Sequence, residues 1–350
     1  MRQPNANLIP YAAVRVKNME GRSMKPLSEN QTAAVRHDEG PMMVLAGPGS
    51  GKTTVIIHRV NYLISEMRIN PNSILVITFT KSATEEMRRR FIDLAGGAGA
   101  GVTFSTFHAL FFRVIRSRYD LAPGAILSDV EKREAVKGIL NAMHMETDDE
   151  FIQSVCGEIA NLKNDLINPE AYNPASMGAD EFRQAVRAYE AFKESNRRID
   201  FEDMLVKCHE MFINDPGLLR VWRDKFPYIL VDEFQDICHA QYKCVCMLAG
   251  AEGNLFIVGD DDQSVYRFRG ARPEFLLRFP KDFPSAARTL LDINYRSTEQ
   301  IIHLCNTVIS RNRTRYSKSM TGTGRKGPEP VIIKSKDANA EAVEIGRRVK

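Results

Sequence analysis

An α/β fold with a parallel central sheet is what this 350-residue sequence predicts. Three observations carry that expectation. Residues 42–46, 228–231 and 255–258 are uninterrupted apolar runs, the pattern of parallel strands buried on both faces. The first run enters a glycine-rich turn, Ala46-Gly47-Pro48-Gly49-Ser50-Gly51-Lys52-Thr53-Thr54, after which Val55, Ile56, Val60, Leu63 and Ile64 recur at helical spacing. The second and third runs end on carboxylates, Asp232-Glu233 and Asp260-Asp261-Asp262. Ligands of open α/β sheets collect at that edge of the strands.

Taken in chain order, residues 1–24 are polar and irregular and read as a loosely held extension. Strand, glycine-rich turn and helix across residues 42–67 form the setting of a phosphate-binding loop. The glycines let backbone N–H groups turn onto phosphates without a Cβ clash, and the helix N-terminus adds partial positive charge. Lys52 would reach the β- and γ-phosphates of a nucleoside triphosphate, and Thr53 would offer its hydroxyl to Mg²⁺. Ala46 stands at the position where the consensus has its first glycine.

Residues 74–79 complete a βαβ unit, residues 96–101 are a glycine-rich break, and residues 102–105 read as a short strand. The strand signal then disappears from 107 to 198. Residues 130–143, 151–164 and 180–194 have helical periodicity, so a helical insertion divides one sheet. Strands resume at Tyr228. Asp232 is suited to hold Mg²⁺ through water and Glu233 to orient and deprotonate an attacking water. After the third run, Gln263 is placed to contact a γ-phosphate. In the same segment Tyr266 and Phe268 offer faces for base stacking, although for Tyr266 core packing fits equally well. A second α/β unit is expected from about residue 286, with strands at 289–293 and 331–334 and helices at 298–310 and 338–350.

Composition narrows the partners only a little. A net charge of +4 permits nucleic-acid binding without arguing for it. Arg311, Arg313, Arg315, Lys318, Arg325 and Lys326 follow one another with no acid between them, which fits either phosphate contact or a solvated loop. The six cysteines have no zinc or iron–sulfur spacing and read as reduced thiols. No apolar run reaches membrane-spanning length, and the first residues lack the apolar centre of a signal peptide, so a cytoplasmic location is expected.

The ordered motifs resemble those of superfamily 1 DNA helicases of the UvrD/Rep/PcrA type over about residues 25 to 350. Leu27-Ser28-Glu29-Asn30-Gln31 resembles the adenine-reading glutamine motif, and residues 46–54 the first ATP motif. Ile77-Thr78-Phe79-Thr80-Lys81-Ser82-Ala83 and Ser105-Thr106-Phe107-His108-Ala109-Leu110 resemble DNA-contacting motifs. Residues 199–205, 231–236, 259–271 and 293–297 follow in the family's order. The resemblance implies a P-loop NTPase with a RecA-like parallel sheet, an inserted helical subdomain and the start of a second RecA-like domain. Its expected divisions are 1–24, 25–106, 107–198, 199–285 and 286–350.

By the same resemblance Gln31 would hydrogen-bond adenine and Tyr295 would stack on the base. Arg296 would approach the γ-phosphate as an arginine finger in cis. Phe79, Thr80, Thr106, His108, Tyr266, Phe268 and Arg269 would contact the bound strand. The sequence departs from the family's usual pattern at Phe268 (often Trp), Lys81-Ser82 (often Asn-Lys) and Thr54 (often Arg).

The activity implied is ATP hydrolysis coupled to 3′-to-5′ movement on single-stranded or partial duplex DNA, with ATP and Mg²⁺ as cofactors and a setting such as DNA repair. Later family motifs are not in the sequence, so the chain reads as the N-terminal portion of a motor and as a poor ATPase alone. Two other readings stand beside this one: the motor part of a helicase–nuclease, with a nuclease partner, and a nucleic-acid-binding module with little ATPase. A P-loop enzyme acting on small molecules would leave Gln31, Phe79 and residues 266–269 without a task.

Overall fold

The computed structural model describes residues 26–96, 99–122, 124–264, 270–313 and 315–349. The expected N-terminal extension and residues 265–269 lie outside them. Helix α1 (Glu29–Val35) opens with a capping box between Ser28 and Gln31. It leads into β1 (Met42–Ala46), α2 (Lys52–Ser65), β2 (Ile74–Thr78), α3 (Lys81–Ala95) and β3 (Thr103–Thr106). Six helices follow: α4 (Phe107–Arg116), α5 (Asp129–Ala142), α6 (Asp149–Asn164), α7 (Ala179–Ser195), α8 (Phe201–Asn214) and α9 (Pro216–Lys225). The sheet resumes with β4 (Tyr228–Val231), α10 (His239–Ala249), β5 (Asn254–Gly259), α11 (Glu274–Asp282) and β6 (Ala287–Leu291). Helices α12 (Glu299–Ile309) and α13 (Ala338–Val349) come last.

The sheet has the order β3-β2-β4-β5-β1-β6, and every pairing is parallel. All six strands therefore deliver their C-terminal ends to one edge. Strands β1, β2 and β4 are buried at every position, as their unbroken apolar sequences require. Val55, Ile56, Val60 and Leu63 of α2, and Met87 and Phe91 of α3, pack with Val44, Val76, Leu230 and Val258 in the main core.

Among the described residues, helices alone fill the chain between β3 and β4 apart from a short 3₁₀ turn, and the stretch that holds α5 to α7 is pinched at a neck. The Leu127 N–H donates to the Ile199 carbonyl at 2.8 Å, and the Ile199 N–H donates to the Ala125 carbonyl at 2.8 Å. Between these points α5, α6 and α7 enclose a second core that includes Val136, Leu140, Val155, Ile159, Phe182 and Tyr189. The three helices match the periodic segments of the sequence to within two residues at either end.

A buried charge cluster fastens the excursion to α8. Lys163 of α6 lies 2.9 Å from Asp200 and 2.8 Å from Asp203, and Lys193 of α7 pairs with Asp203 as well. All four residues are buried. Asp200 is also the N-cap of α8, exchanging hydrogen bonds with Asp203. Burial alone would raise the Asp200 carboxyl, but Lys163 and Lys193 outweigh it and hold it well below the usual range.

Two expectations at the far end change. The strand placed at 289–293 is β6 at Ala287–Leu291, hydrogen-bonded to β1 from Met42↔Ala287 to Ala46↔Leu291. It is the sixth strand of the first sheet, and the chain parts into two compact units after Leu291. Residues 331–334 form no strand; no neighbour offers them a ladder, and Val331 and Ile332 are exposed. The second unit comprises residues 292–350 and the loop tip 47–50. Its described part holds α12, α13 and a single parallel bridge between Ile293 and Thr321.

Candidate functional site

The loop after β1 begins on an ordinary strand residue. Ala46 pairs with Leu291 in the ladder and is fully buried, so this position has no need of glycine. The turn lies further on, where Gly49 has φ +67° and Gly51 φ +87°. The Ser50 hydroxyl donates to the Gly47 carbonyl at 2.7 Å. Pro48 lies between the first two glycines, and Lys52, Thr53 and Thr54 form the first turn of α2.

Gln31 sits against that turn. A Cβ on Gly51 would lie 2.8 Å from Gln31 Nε2, so the glycine permits the approach. Gln31 is buried, and its Oε1 accepts the Ser28 N–H at 3.0 Å, which fixes the amide's direction. Arg59 of α2 holds the other end of α1, donating to the carbonyls of Val35 at 3.0 Å, Asp38 at 2.9 Å and His37. Burial pushes this guanidinium down to about 10.

Lys52 and the acids after β4 meet at the common edge. Lys52 Nζ lies 2.9 Å from Glu233 Oε2. Glu233 adopts a left-handed conformation, φ 48° and ψ 47°, which turns it away from the line of its strand. Asp232 is buried and accepts the Glu233 N–H at 3.0 Å. Burial and then the Glu233 charge raise the Asp232 carboxyl to about 7, against the opposing pull of Lys52. The same two causes raise Asp236 to about 6, and its Oδ1 is buried with no hydrogen-bond partner.

Gln235 was not among the expected site residues, and its contacts were not foreseen from the sequence. This residue is buried. Its Nε2 donates to Glu233 Oε2 at 2.9 Å, and its Oε1 accepts the Asp260 N–H at 2.9 Å. One amide thus ties the acid after β4 to the loop after β5. Gln263 is turned toward that loop, its side chain donating to Asp260. The carboxylates of Asp260, Asp261 and Asp262 lie within 4.8 Å of one another. Their neighbours Tyr266, Phe268 and Arg269, expected to contact nucleic acid, lie outside the described residues.

The other expected contacts fall at the ends of β2 and β3. Phe79 is half-buried just past β2. Thr80 and Thr106 are N-caps of α3 and α4, accepting the N–H groups of Ala83 at 3.1 Å and Ala109 at 3.2 Å. His108 meets Phe201 edge to face at 5.8 Å, and burial lowers its pKa. In the second unit the Tyr295 N–H donates to the Gly49 carbonyl at 2.9 Å, leaving the Tyr295 side chain exposed. Arg296 is exposed, with its backbone N–H held by Asn294 Oδ1 at 2.8 Å.

The arrangement so far is a glycine-rich loop, a lysine–glutamate pair and a buried aspartate on one sheet edge, in a sequence that is similar to known proteins. Residues 27–284 match the UvrD/REP helicase N-terminal domain, and residues 289–350 match the UvrD-like helicase C-terminal domain. The chain is 35% identical to ATP-dependent DNA helicase PcrA of Leuconostoc citreum over 323 residues, 90% of this chain and 43% of that protein. It is 37% identical to PcrA of Bacillus subtilis over 300 residues, 84% of this chain and 41% of that protein. Against DNA helicase II of Escherichia coli the identity is 36% over 314 residues, 88% of this chain and 43% of that protein. The chain thus spans less than half the length of these relatives.

Proposed function

This chain belongs to the UvrD/REP helicase family, and from that premise we propose that it binds ATP with Mg²⁺ at the edge formed by β1, β4 and β5 and couples hydrolysis to 3′-to-5′ movement along single-stranded DNA. One observation carries the reading: the 2.9 Å ion pair between Lys52 and Glu233 joins the phosphate loop to the acid after β4. A lone glycine-rich turn or a lone acidic strand end would not need the other.

In this reading Lys52 exchanges its carboxylate for the β- and γ-phosphates when ATP arrives, and Glu233 is released to take the proton of the attacking water. Gln235 limits where the freed Glu233 carboxylate can go. Gln31 would read adenine through its side-chain amide, whose Nε2 faces the turn. Tyr295 and Arg296 are assigned to base stacking and to the γ-phosphate through their place in the family motif, as are Phe79, Thr80, Thr106 and His108 to the DNA strand.

The residues fit Mg²⁺. Asp232 is a buried carboxyl whose charged form is disfavoured beside a second acid, and the Thr53 hydroxyl is in the adjacent first turn of α2. A divalent ion would supply the positive charge that restores the carboxylate and neutralises the phosphates. DNA as substrate and ATP as fuel accord with the names of the relatives, PcrA being an ATP-dependent DNA helicase in both species.

The test separates binding from chemistry. Glu233→Gln should keep fluorescent-ATP binding and abolish hydrolysis, while Lys52→Ala should lose binding. Steady-state turnover with and without single-stranded DNA is the second readout. Retained hydrolysis in Glu233→Gln would remove Glu233 from the role of base.

A further inference from the structure

A groove of about 650 Å³ lies at the β3 end of the sheet, between α3, α4 and that outer strand. Its floor is apolar, formed by Phe104, Phe112, Ile92 and Ala109. Ile92 is 55% exposed although it faces this groove, and Phe112 is only half-buried. Strand β3 ends the sheet, pairing only with β2 among the described strands.

The walls are basic. Arg88 reaches in from α3, donating to the Phe104 carbonyl at 3.1 Å with its guanidinium 6.0 Å from the Phe104 ring centre. Arg113 reaches in from α4 and donates to Ser105 Oγ at 3.0 Å. Neither has a carboxylate partner among the described ion pairs, and the charge of Arg88 helps burial lower the Arg113 pKa. Of the two acids in the lining, Asp93 is 3.7 Å from Arg89, and Glu85 stands exposed on the rim. Arg116, outside the lining, lies 5.8 Å from the Phe112 ring centre.

The groove also has a direction. One end is lined by Lys81 and Thr106, next to the segments assigned above to the DNA strand, and the other by Ile92 and Asp93. Along α3, Lys81 to Asp93 covers about 18 Å at 1.5 Å per residue. That is room for about five nucleotides at the 3.4 Å per-strand spacing of duplex DNA, and fewer in an extended strand.

Resting on the DNA reading above, we propose that this groove is an additional single-strand subsite, in which Arg88 and Arg113 pair with backbone phosphates while bases lie on Phe112 and Ile92. Single-stranded nucleic acid suits it better than a peptide. An arginine-and-aromatic channel accepts any base sequence, and it continues from the contacts at Thr106. A strand leaving those contacts would run down the side of the sheet instead of ending at its edge.

Anisotropy titrations with labelled oligo(dT) of about 8 and about 20 nucleotides test the subsite on this protein. The short strand fills the contacts at the β2 and β3 ends; the long one also enters the groove. In the double variant Arg88→Gln/Arg113→Gln, affinity for the long strand should fall about tenfold. The slope of log K against log salt should shrink by about 1.4, at about 0.7 per phosphate released. Affinity for the short strand should stay unchanged, which also reports an intact fold. Arg88→Lys/Arg113→Lys should keep the salt slope. Equal losses for both lengths, or none for either, would overturn the subsite. Wild-type protein that binds neither length would reject the DNA reading itself, and the subsite with it. Unchanged long-strand binding by the double variant, with capture of an acidic aromatic peptide by the wild type alone, would reassign the groove to a protein partner.

Discussion

At the scale of single residues, the charges around Asp232 make a prediction about pH. The Asp232 carboxyl is raised to about 7 in the absence of a cation, and a metal ligand must be deprotonated. Mg²⁺-dependent ATP binding should therefore strengthen about tenfold between about pH 6 and pH 8, and Asp232→Asn should flatten that rise. Isothermal titration at several pH values measures it. Stability of the metal-free protein should run the other way. A raised acid stabilises the fold most below its unfolded pKa near 3.9, and the contribution is lost as pH climbs through 7. Gln235 gives the second prediction at this scale. Gln235→Leu leaves Glu233 without its amide partner and Asp260 without its acceptor. Turnover should drop by about 10²-fold, the scale of a misplaced catalytic group, with a much smaller change in ATP affinity. A matching loss of affinity would instead indicate a collapsed loop.

Among the elements, the joint between α6, α7 and α8 depends on Lys163, Lys193, Asp200 and Asp203. Breaking a buried pair strands the remaining charge, so Lys163→Met or Asp203→Asn should cost about 3–5 kcal/mol in chemical denaturation. Acid should weaken the same joint. Asp200 is held below its ordinary value, so its contribution is complete above about pH 4 and is lost as pH falls further. None of this was legible in the sequence, because Lys163 and Asp203 are brought together only by the packing of three helices. Lys52 and Glu233 were legible, since the loop motif and the acids each follow a strand and strands of a parallel sheet end together. The Gln235–Asp260 bond was not, because it depends on β4 and β5 being neighbours, an order that their apolar runs do not encode. Strand β6 was misplaced for a similar reason. Its half-buried pattern, with Arg288 exposed, is that of a sheet margin and does not say which sheet.

On the scale of the whole molecule, the two units differ in how much apolar surface they cover. In α12 only Ile302 is buried, while Ile301, Leu304 and Val308 are 44%, 47% and 60% exposed. In α13 Val343, Ile345 and Val349 are exposed as well. Local stability follows buried contacts, so amides of α12 and α13 should exchange with deuterium well before those of β1, β2 and β4. Mass spectrometry over a time course measures this, and equal protection in both sets would contradict it. The closed neck at Ala125, Leu127 and Ile199 has a different kind of consequence. Because the chain of the helical module enters and leaves through one paired point between α4 and α8, a change of length within it need not disturb the strands of the sheet. Any graft that omits the two lysines facing α8 would arrive unmoored.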